Sequence, residues 1–300
     1  MLKIAWDNYY KHKLSDNHRF PMDKYDLIPE QILFEGTVKS DNFFKPKLLD
    51  DESILFTHSM EYLHKLNHQK LSSNEIRKIG FPFSEALVHR EKGILGGTFE
   101  NTLYALKYGI SMNIAGGTHH ALIASGEGFC LLNDMAVAAN KLLKENLSSK
   151  ILIVDLDVHQ GNGTAQIFKE NTSVFTFSMH GEKNYPLPKE KSDLDIPLPD
   201  GTGDDFYLKT LINTLPRLID EEQPDFIFYQ SGVDVLESDK LGRLSLSLEG
   251  CKKRDRFVLE ICHKNKIPIA VSMGGGYSEK LTTIVEAHAN TFRLAQEIYF

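Results

Sequence analysis

Ile151-Leu152-Ile153-Val154-Asp155-Leu156-Asp157-Val158-His159-Gln160-Gly161-Asn162-Gly163 is the stretch on which the fold turns. Four aliphatic residues in a row read as a strand buried on both faces. The run ends in Asp155, Asp157 and His159, alternating with Leu156 and Val158. Side chains on a strand alternate faces, so the three polar ones are expected to point the same way. Two carboxylates and an imidazole at one strand end are costly to bury unless something pairs them. A divalent metal is the natural partner, and hydrolysis is its natural use.

The same grammar recurs on either side of this stretch. Ser111–Ala115 runs into Gly116-Gly117-Thr118-His119-His120, and Val174–Phe177 into Ser178-Met179-His180. Phe226–Tyr229 leads to Gln230-Ser231-Gly232-Val233-Asp234, and Ile267–Val271 to Ser272-Met273-Gly274-Gly275-Gly276-Tyr277. Helical patterns fill the gaps: Asn133–Lys144 behind an Asn133 or Asp134 cap, Asp205–Leu218, and Leu248–Asn265. Alternating strands and helices predict an α/β fold, a mostly parallel sheet with helices on both faces, and the length allows one large domain or two small ones. Ligands of such sheets bind at the carboxyl ends of the strands, where all five polar endings fall.

The first 110 residues are less regular. His58–Leu66 and Phe99–Gly109 read as helices, and Gly93–Gly97 as a turn region. Asn17-His18-Arg19-Phe20-Pro21-Met22 reads equally as a site lining or a core cap. The Pro- and Gly-bearing stretch 182–203 reads as a long loop.

Composition narrows the class. The chain has 300 residues, 41% of them hydrophobic, which suffices for a large core. No apolar run approaches the roughly 20 residues of a membrane span. Met1–Tyr10 lacks the order of a secretory signal. Cys130, Cys251 and Cys262 make no disulfide framework, which favours a reducing, cytoplasmic setting. The net charge of −7, without a dense basic cluster, argues against nucleic acid and otherwise reads as plain solubility.

Asp157 and His159 are a plausible zinc ligand pair, since catalytic zinc takes about three nitrogen or oxygen ligands and keeps one position open. Asp234 is the best third ligand, although Ser231-Gly232-Val233-Asp234 also suits a turn or helix cap. His119 and His120, a surface accident in many sequences, read here as a proton-transfer pair, with Asp155 and Asn162 available to orient them. Tyr277 is either a packed ring or a donor to a developing oxyanion. Phe129 suits the wall of a narrow entrance, and Cys130 reads as a buried structural thiol.

With those residues placed, the chain resembles the zinc-dependent histone deacetylase family. Asp155 to Gly163, Gly116 to His120, Gly128-Phe129-Cys130, Ser231 to Asp234 and Gly274 to Tyr277 fall in that family's order. Gln160 and Leu241-Gly242-Arg243-Leu244-Ser245-Leu246-Ser247 are most similar to class IV and its bacterial relatives. The resemblance implies a single three-layer, arginase-like α/β/α domain over residues 1–300, with about eight strands and Zn²⁺ on Asp157, His159 and Asp234. It implies His120 as the base and later the acid, His119 as its electrostatic aid held by Asp155, and Tyr277 on the carbonyl. Phe129 and Tyr185 would wall the acyl-lysine tunnel, with the Gly128 carbonyl on the substrate amide. A K⁺ site would use Asp155, Ser178 and the carbonyls of Asp157, His159 and Met179. Asn162 stands where class I members carry aspartate. An amide orients a ring but does not stabilise its cation as a charge would.

The expected activity is removal of acyl groups from N-ε-acyl-lysine, in protein or peptide, by metal-activated water. The alternatives are a small-molecule deacylase acting on acetylpolyamines, a long-chain lysine deacylase, and a non-catalytic acyl-lysine binder. A dimanganese arginase-type enzyme shares the fold but needs ligands for a second metal.

Overall fold

Strands and helices alternate along the chain in the computed structural model, which describes residues 1–16 and 18–300. In order they are β1 (Lys3–Ala5), α1 (Lys24–Phe34), β2 (Phe43–Phe44), α2 (Asp51–Ile54), α3 (Met60–Asn67), α4 (Ser73–Ile79), α5 (Glu85–Tyr108) and β3 (Ile110–Asn113). Then follow α6 (Asp134–Lys144), β4 (Ile151–Asp155), α7 (Asn162–Phe168), β5 (Val174–Gly181), β6 (Leu194–Leu198), α8 (Asp204–Glu222), β7 (Phe226–Gln230), α9 (Leu248–Asn265), β8 (Ile269–Ser272) and α10 (Leu281–Tyr299).

The strands form one eight-stranded sheet in the order β2-β1-β3-β8-β7-β4-β5-β6. Every pairing is parallel. The helices pack in two groups: α1, α10, α9 and α8 in succession, and α5 with α3 and α6, the latter touching α2 and α7. This is the expected three-layer α/β/α arrangement, with a fully parallel sheet rather than a mostly parallel one. β3, β4, β7 and β8 are buried at every position, because helices cover both faces. Each aliphatic side chain so buried contributes about 1.5–3 kcal/mol of transfer free energy.

Four local expectations change. β4 ends at Asp155, so Asp157 and His159 lie in the bends beyond the strand rather than on its face. Gly93–Gly97 is not a turn but the middle of α5, which absorbs the expected 99–109 helix. Its glycines serve close packing: a Cβ on Gly96 would lie 1.7 Å from the Lys47 carbonyl oxygen. The 182–203 stretch contains an edge strand, β6, and Pro197 is tolerated there because an edge needs fewer backbone donors. The irregular N-terminal third contributes β1, β2 and, ahead of α5, four helices; α3 matches the expected His58–Leu66 helix, and the short lengths of the others carry little periodic signal. Asn17 lies outside the described residues.

Capping decides which of two neighbouring residues starts α6. Asn133 is the cap, its side chain accepting from the Ala136 N–H at 3.1 Å. The Asp134 carboxylate turns inward instead. It accepts from the Thr118 N–H (2.8 Å), from Thr98 Oγ1 (2.7 Å) and from Ser272 Oγ (3.0 Å). One carboxylate thus ties α5, the loop after β3 and the end of β8 together.

Candidate metal centre and active site

β3, β8, β7 and β4 are adjacent in the sheet, and the loops leaving their carboxyl ends carry the polar residues singled out above. Register holds them level: Asn113 pairs with Ser272, Ser272 with Gln230, and Gln230 with Asp155. Between β3 and β4 the chain skips two strand positions, and the crevice opens at that switch.

Asp157, His159 and Asp234 meet there, all buried, with one ligand atom from each lying within 4.8 Å of the others. His159 Nδ1 lies 3.0 Å from Asp157 Oδ1 and 3.1 Å from Asp234 Oδ2. Backbone donors hold the carboxylates: the Gly275 N–H donates to Asp157 Oδ2 at 2.8 Å, and the Val158 N–H to Asp234 Oδ1 at 3.0 Å. Glycine is required beside them, because a Cβ on Gly275 would lie 2.0 Å from Asp234 Oδ2.

The electrostatics of this group call for a cation. Burial opposes charge on His159, yet its hydrogen bonds to Asp157 and Asp234 and their charges outweigh burial and raise the imidazole to about 10. Burial and the neighbouring Asp157 charge push the Asp234 carboxyl up to about 7. Asp157 is held well below the usual carboxylate range against burial, by His119 and by the hydrogen bond to His159. Two carboxylates and one imidazole are a donor set that suits zinc, with room in the crevice for a further ligand.

The two adjacent histidines are buried beside this group and differ in state. His119 Nδ1 donates to Asp155 Oδ2 at 2.7 Å, and the Asp155 charge raises this imidazole against burial. His120 is driven well below the usual imidazole value, by burial first and then by the charges of His119 and His159. Its Nδ1 lies 2.6 Å from Asn162 Oδ1. Asn162 opens α7, and its Nδ2 donates to Glu127 Oε1 at 2.7 Å. That second bond sets the amide so that its oxygen faces His120. His120 therefore carries its proton on Nδ1 and leaves Nε2 free to accept one.

Gly128 and Phe129 are pinned by the end of α4: their N–H groups donate to the Lys78 and Ile79 carbonyls at 3.0 and 2.7 Å. Phe129 adopts a positive φ of 69°, a rare state for a bulky residue that marks a constrained position. Its ring lies 6.0 Å from that of Tyr277, and the Tyr185 ring lies edge-on to His120 at 5.0 Å. These walls bound a cavity of about 290 Å³ that opens outward from His120 and His159. A smaller one of about 40 Å³ reaches inward from the same residues, past Phe20 to Arg90 and Ile94. Burial and the charges of Asp234 and Asp157 keep the Tyr277 phenol protonated, as a donor.

Asp155 and Ser178 are register partners on β4 and β5, and Met179 follows as a buried residue. Ser178 Oγ lies 2.9 Å from His180 Nδ1. Cys130 is buried, and burial pushes its thiol well above the ordinary value, as a structural thiol requires. Of the 18–22 segment, Phe20 lines the inner cavity and Arg19 the outer one.

Four contributors escaped the sequence reading. Glu127 looked like part of a glycine turn. Lys24, fully buried in α1, donates to the Gly274 carbonyl at 3.2 Å; burial lowers its ammonium to about 8 against the pull of Asp234 and Asp157. Arg254 and Asp255 sit in the amphipathic pattern of α9, where they read as solvated charge. Both are fully buried, and Arg254 Nη1 donates to the Leu156 and Gly232 carbonyls at 3.2 and 2.6 Å. The guanidinium thereby ties together the backbones preceding Asp157 and Asp234. Their only sequence signal is a pair of charges on a helix that precedes a core strand.

A family profile described as "Histone deacetylase domain" matches residues 18–292. The chain belongs to the histone deacetylase family. An uncharacterized protein of Picosynechococcus sp. is 40% identical over 99% of this chain and 99% of its own length. Histone deacetylase 2 of Arabidopsis thaliana is 27% identical, covering 89% of this chain and 72% of its own. A solved histone deacetylase homolog complexed with SAHA superposes with a TM-score of 0.85 at 23% identity, over 99% of this chain and 84% of that one; this likeness concerns the fold. As a member of the histone deacetylase family, this chain is a hydrolase of the deacetylase type. Its buried Asp-His-Asp group is where a metal fits.

Proposed function

We propose that this deacetylase removes short acyl groups from the ε-amine of lysine, using Zn²⁺ on Asp157, His159 and Asp234. Bound there, zinc supplies the Lewis acidity that polarises the acyl carbonyl and makes water acidic enough to attack. His120, neutral and with Nε2 free, takes the proton from the attacking water and delivers it to the leaving amine. Asn162, with Glu127 behind it, holds the ring in that tautomer. His119, biased toward its cation by Asp155, favours the negative charge that builds on the substrate. Tyr277 donates its phenol proton in a hydrogen bond to the developing oxyanion. Phe129 and Tyr185 enclose the alkyl stem of the lysine, and the Gly128 carbonyl accepts from its amide.

The observation that carries this reading is the bond chain Glu127–Asn162–His120 ending on a lone pair beside the three-ligand group. The inner cavity, about 40 Å³ against about 290 Å³ outside it, is the smaller of the two, which supports short acyl groups over long chains. A monovalent cation such as K⁺ on Asp155, Ser178 and the carbonyls of Asp157, His159 and Met179 would brace the β4–β5 end. Residues 1–300 act as one catalytic domain in this reading, because β1 and β8 lie in the same sheet. Three buried, unpaired cysteines suit a cytoplasmic setting.

The test is turnover of peptides carrying acetyl-, longer acyl- and trifluoroacetyl-lysine by the zinc-loaded protein, with Tyr277→Phe alongside. Acetyl-lysine should be cleaved, and the variant should lose about 10²-fold in kcat while zinc stays bound. Absence of turnover on every acyl-lysine, or unchanged kcat in the variant, would overturn the assignment.

A further inference from the structure

The mouth of the outer cavity is charged opposite to the chain. The chain carries a net −7, yet Arg19, Lys78, Lys183 and Arg243 line this cavity and no carboxylate does. All four are exposed. Arg243 and Lys183 share one carboxylate, Asp200, at 3.1 and 3.9 Å. Among the described residues, Arg19 and Lys78 have no carboxylate within ion-pair distance. Four cations thus share one anion around a single opening.

These cations come from four separate segments: the chain before α1, the end of α4, the loop after β5 and the loop after β7. They are not one charged stripe on a helix. Their backbones are also tied to the tunnel walls. The Lys78 carbonyl accepts from the Gly128 N–H, and the Arg243 N–H donates to Asn184 Oδ1 at 3.2 Å, next to Tyr185. The Arg19 guanidinium stacks 4.9 Å from the Phe129 ring centre. Charges carried by the walls reach whatever flanks an inserted lysine. Several like charges at one opening steer oppositely charged partners and repel like ones, and salt weakens both effects.

We propose that the mouth selects acylated lysines flanked by Asp or Glu, and disfavours lysine-rich tails and cationic acylpolyamines. This rests on the deacylase reading above and deepens it by naming the substrate's surroundings. The cations act on encounter and ground-state binding, so the preference belongs in KM and kcat/KM, not in kcat.

The experiment uses the zinc-loaded full chain and three acetyl-lysine peptides identical except for two flanking positions, occupied by Glu, Gln or Lys. N-acetylputrescine is a fourth substrate. Two flanking charges are expected to separate the Glu from the Gln peptide by roughly 3- to 10-fold in kcat/KM at low salt, with the Lys peptide and N-acetylputrescine below both. The gap should shrink in 0.5 M salt, where the screening length falls to about 4 Å. It should narrow or reverse in Lys78→Glu and Arg243→Glu, exposed positions at which folding is verified by thermal melting. Equal kcat/KM across the three flanks, or a preference untouched by salt and by both variants, overturns the proposal while leaving the deacylase reading intact. If no substrate turns over, that reading falls, and fluorescence anisotropy on the same labelled peptides judges the mouth. Tightest, salt-sensitive binding of the Glu peptide upholds it, and equal binding of all three overturns it.

Discussion

At the scale of single residues, the state of His120 depends on a group that does not touch it. Glu127 accepts from Asn162 Nδ2 and thereby keeps the amide oxygen on His120. Glu127→Ala frees the amide to rotate and offer its NH₂, which would favour the tautomer with the proton on Nε2. Steady-state kinetics on acetyl-lysine peptide should give a kcat reduced about 10-fold or more with KM little changed, general base catalysis being worth about 10²–10⁴ overall. Glu127→Gln keeps an acceptor and should recover most of the loss; equal loss in both variants would mean Glu127 acts through folding instead. Gly275 is a second such position. The methyl of Gly275→Ala would occupy the space of Asp234 Oδ2. Metal analysis should find well under one zinc per chain in that variant, with its circular dichroism retained.

At the scale of elements, buried ion pairs join helices to the site. Arg254 on α9 binds the backbones leading to both proposed carboxylate ligands, and its partner Asp255 also accepts from Tyr229 and Thr291 at 2.5 and 2.7 Å. Arg254→Met leaves Asp255 as an uncompensated buried charge and orphans two carbonyls. Denaturant unfolding of the zinc-free protein should give a loss of about 3–5 kcal/mol. The α1–α10 contact has a pH signature. Arg293 donates to both Glu35 oxygens, at 2.8 and 2.6 Å, and its hydrogen bonds hold the Glu35 carboxyl down at about 2 from the usual 4.5. A carboxyl depressed in the folded state adds stability that is complete above the unfolded value and is lost as pH falls toward the folded one. The window is therefore roughly pH 4.5 to 2, and because Glu35 is exposed, solvent screening holds the pair's worth to about 1 kcal/mol. Arg293→Ala should lose that stability in full near pH 7 and little of it below pH 2, and should move the midpoint of acid unfolding upward.

At the scale of the whole molecule, the group proposed to hold the metal perches on a core that is complete without it. The eight strands and their flanking helices bury an apolar interior, and the three proposed ligands occupy loops beyond the strand ends. Zinc should therefore raise the melting temperature without being needed to fold: at about 1,000 times its Kd it adds about 4 kcal/mol, and a chelator should lower Tm by several degrees and leave a folded protein. Much of this plan was legible in the chain. Ile151–Val154 and its counterparts announce a parallel sheet, since only strands covered on both faces are apolar at successive positions. Asp157, His159 and Asp234 were legible because unpaired polar groups at buried strand ends demand a partner. The N-terminal strands and α4 were not, being too short to show a period. Gly93–Gly97 misled because close helix packing and a turn both call for glycine. Glu127, Lys24 and Arg254 were illegible for a different reason: a charge is read as solvated unless its burial is known. Beyond about residue 110 the sequence by itself determined the alternation of strands and helices, and which strand endings carry clustered polar residues, because periodicity and local polarity are properties of neighbouring residues. Only the tertiary structure decided which charges are buried, which nitrogen of His120 is free, and that Arg19, Lys78, Lys183 and Arg243 surround one opening in an acidic protein. Those are consequences of distance in space, and residues far apart in the chain meet only once the sheet has formed.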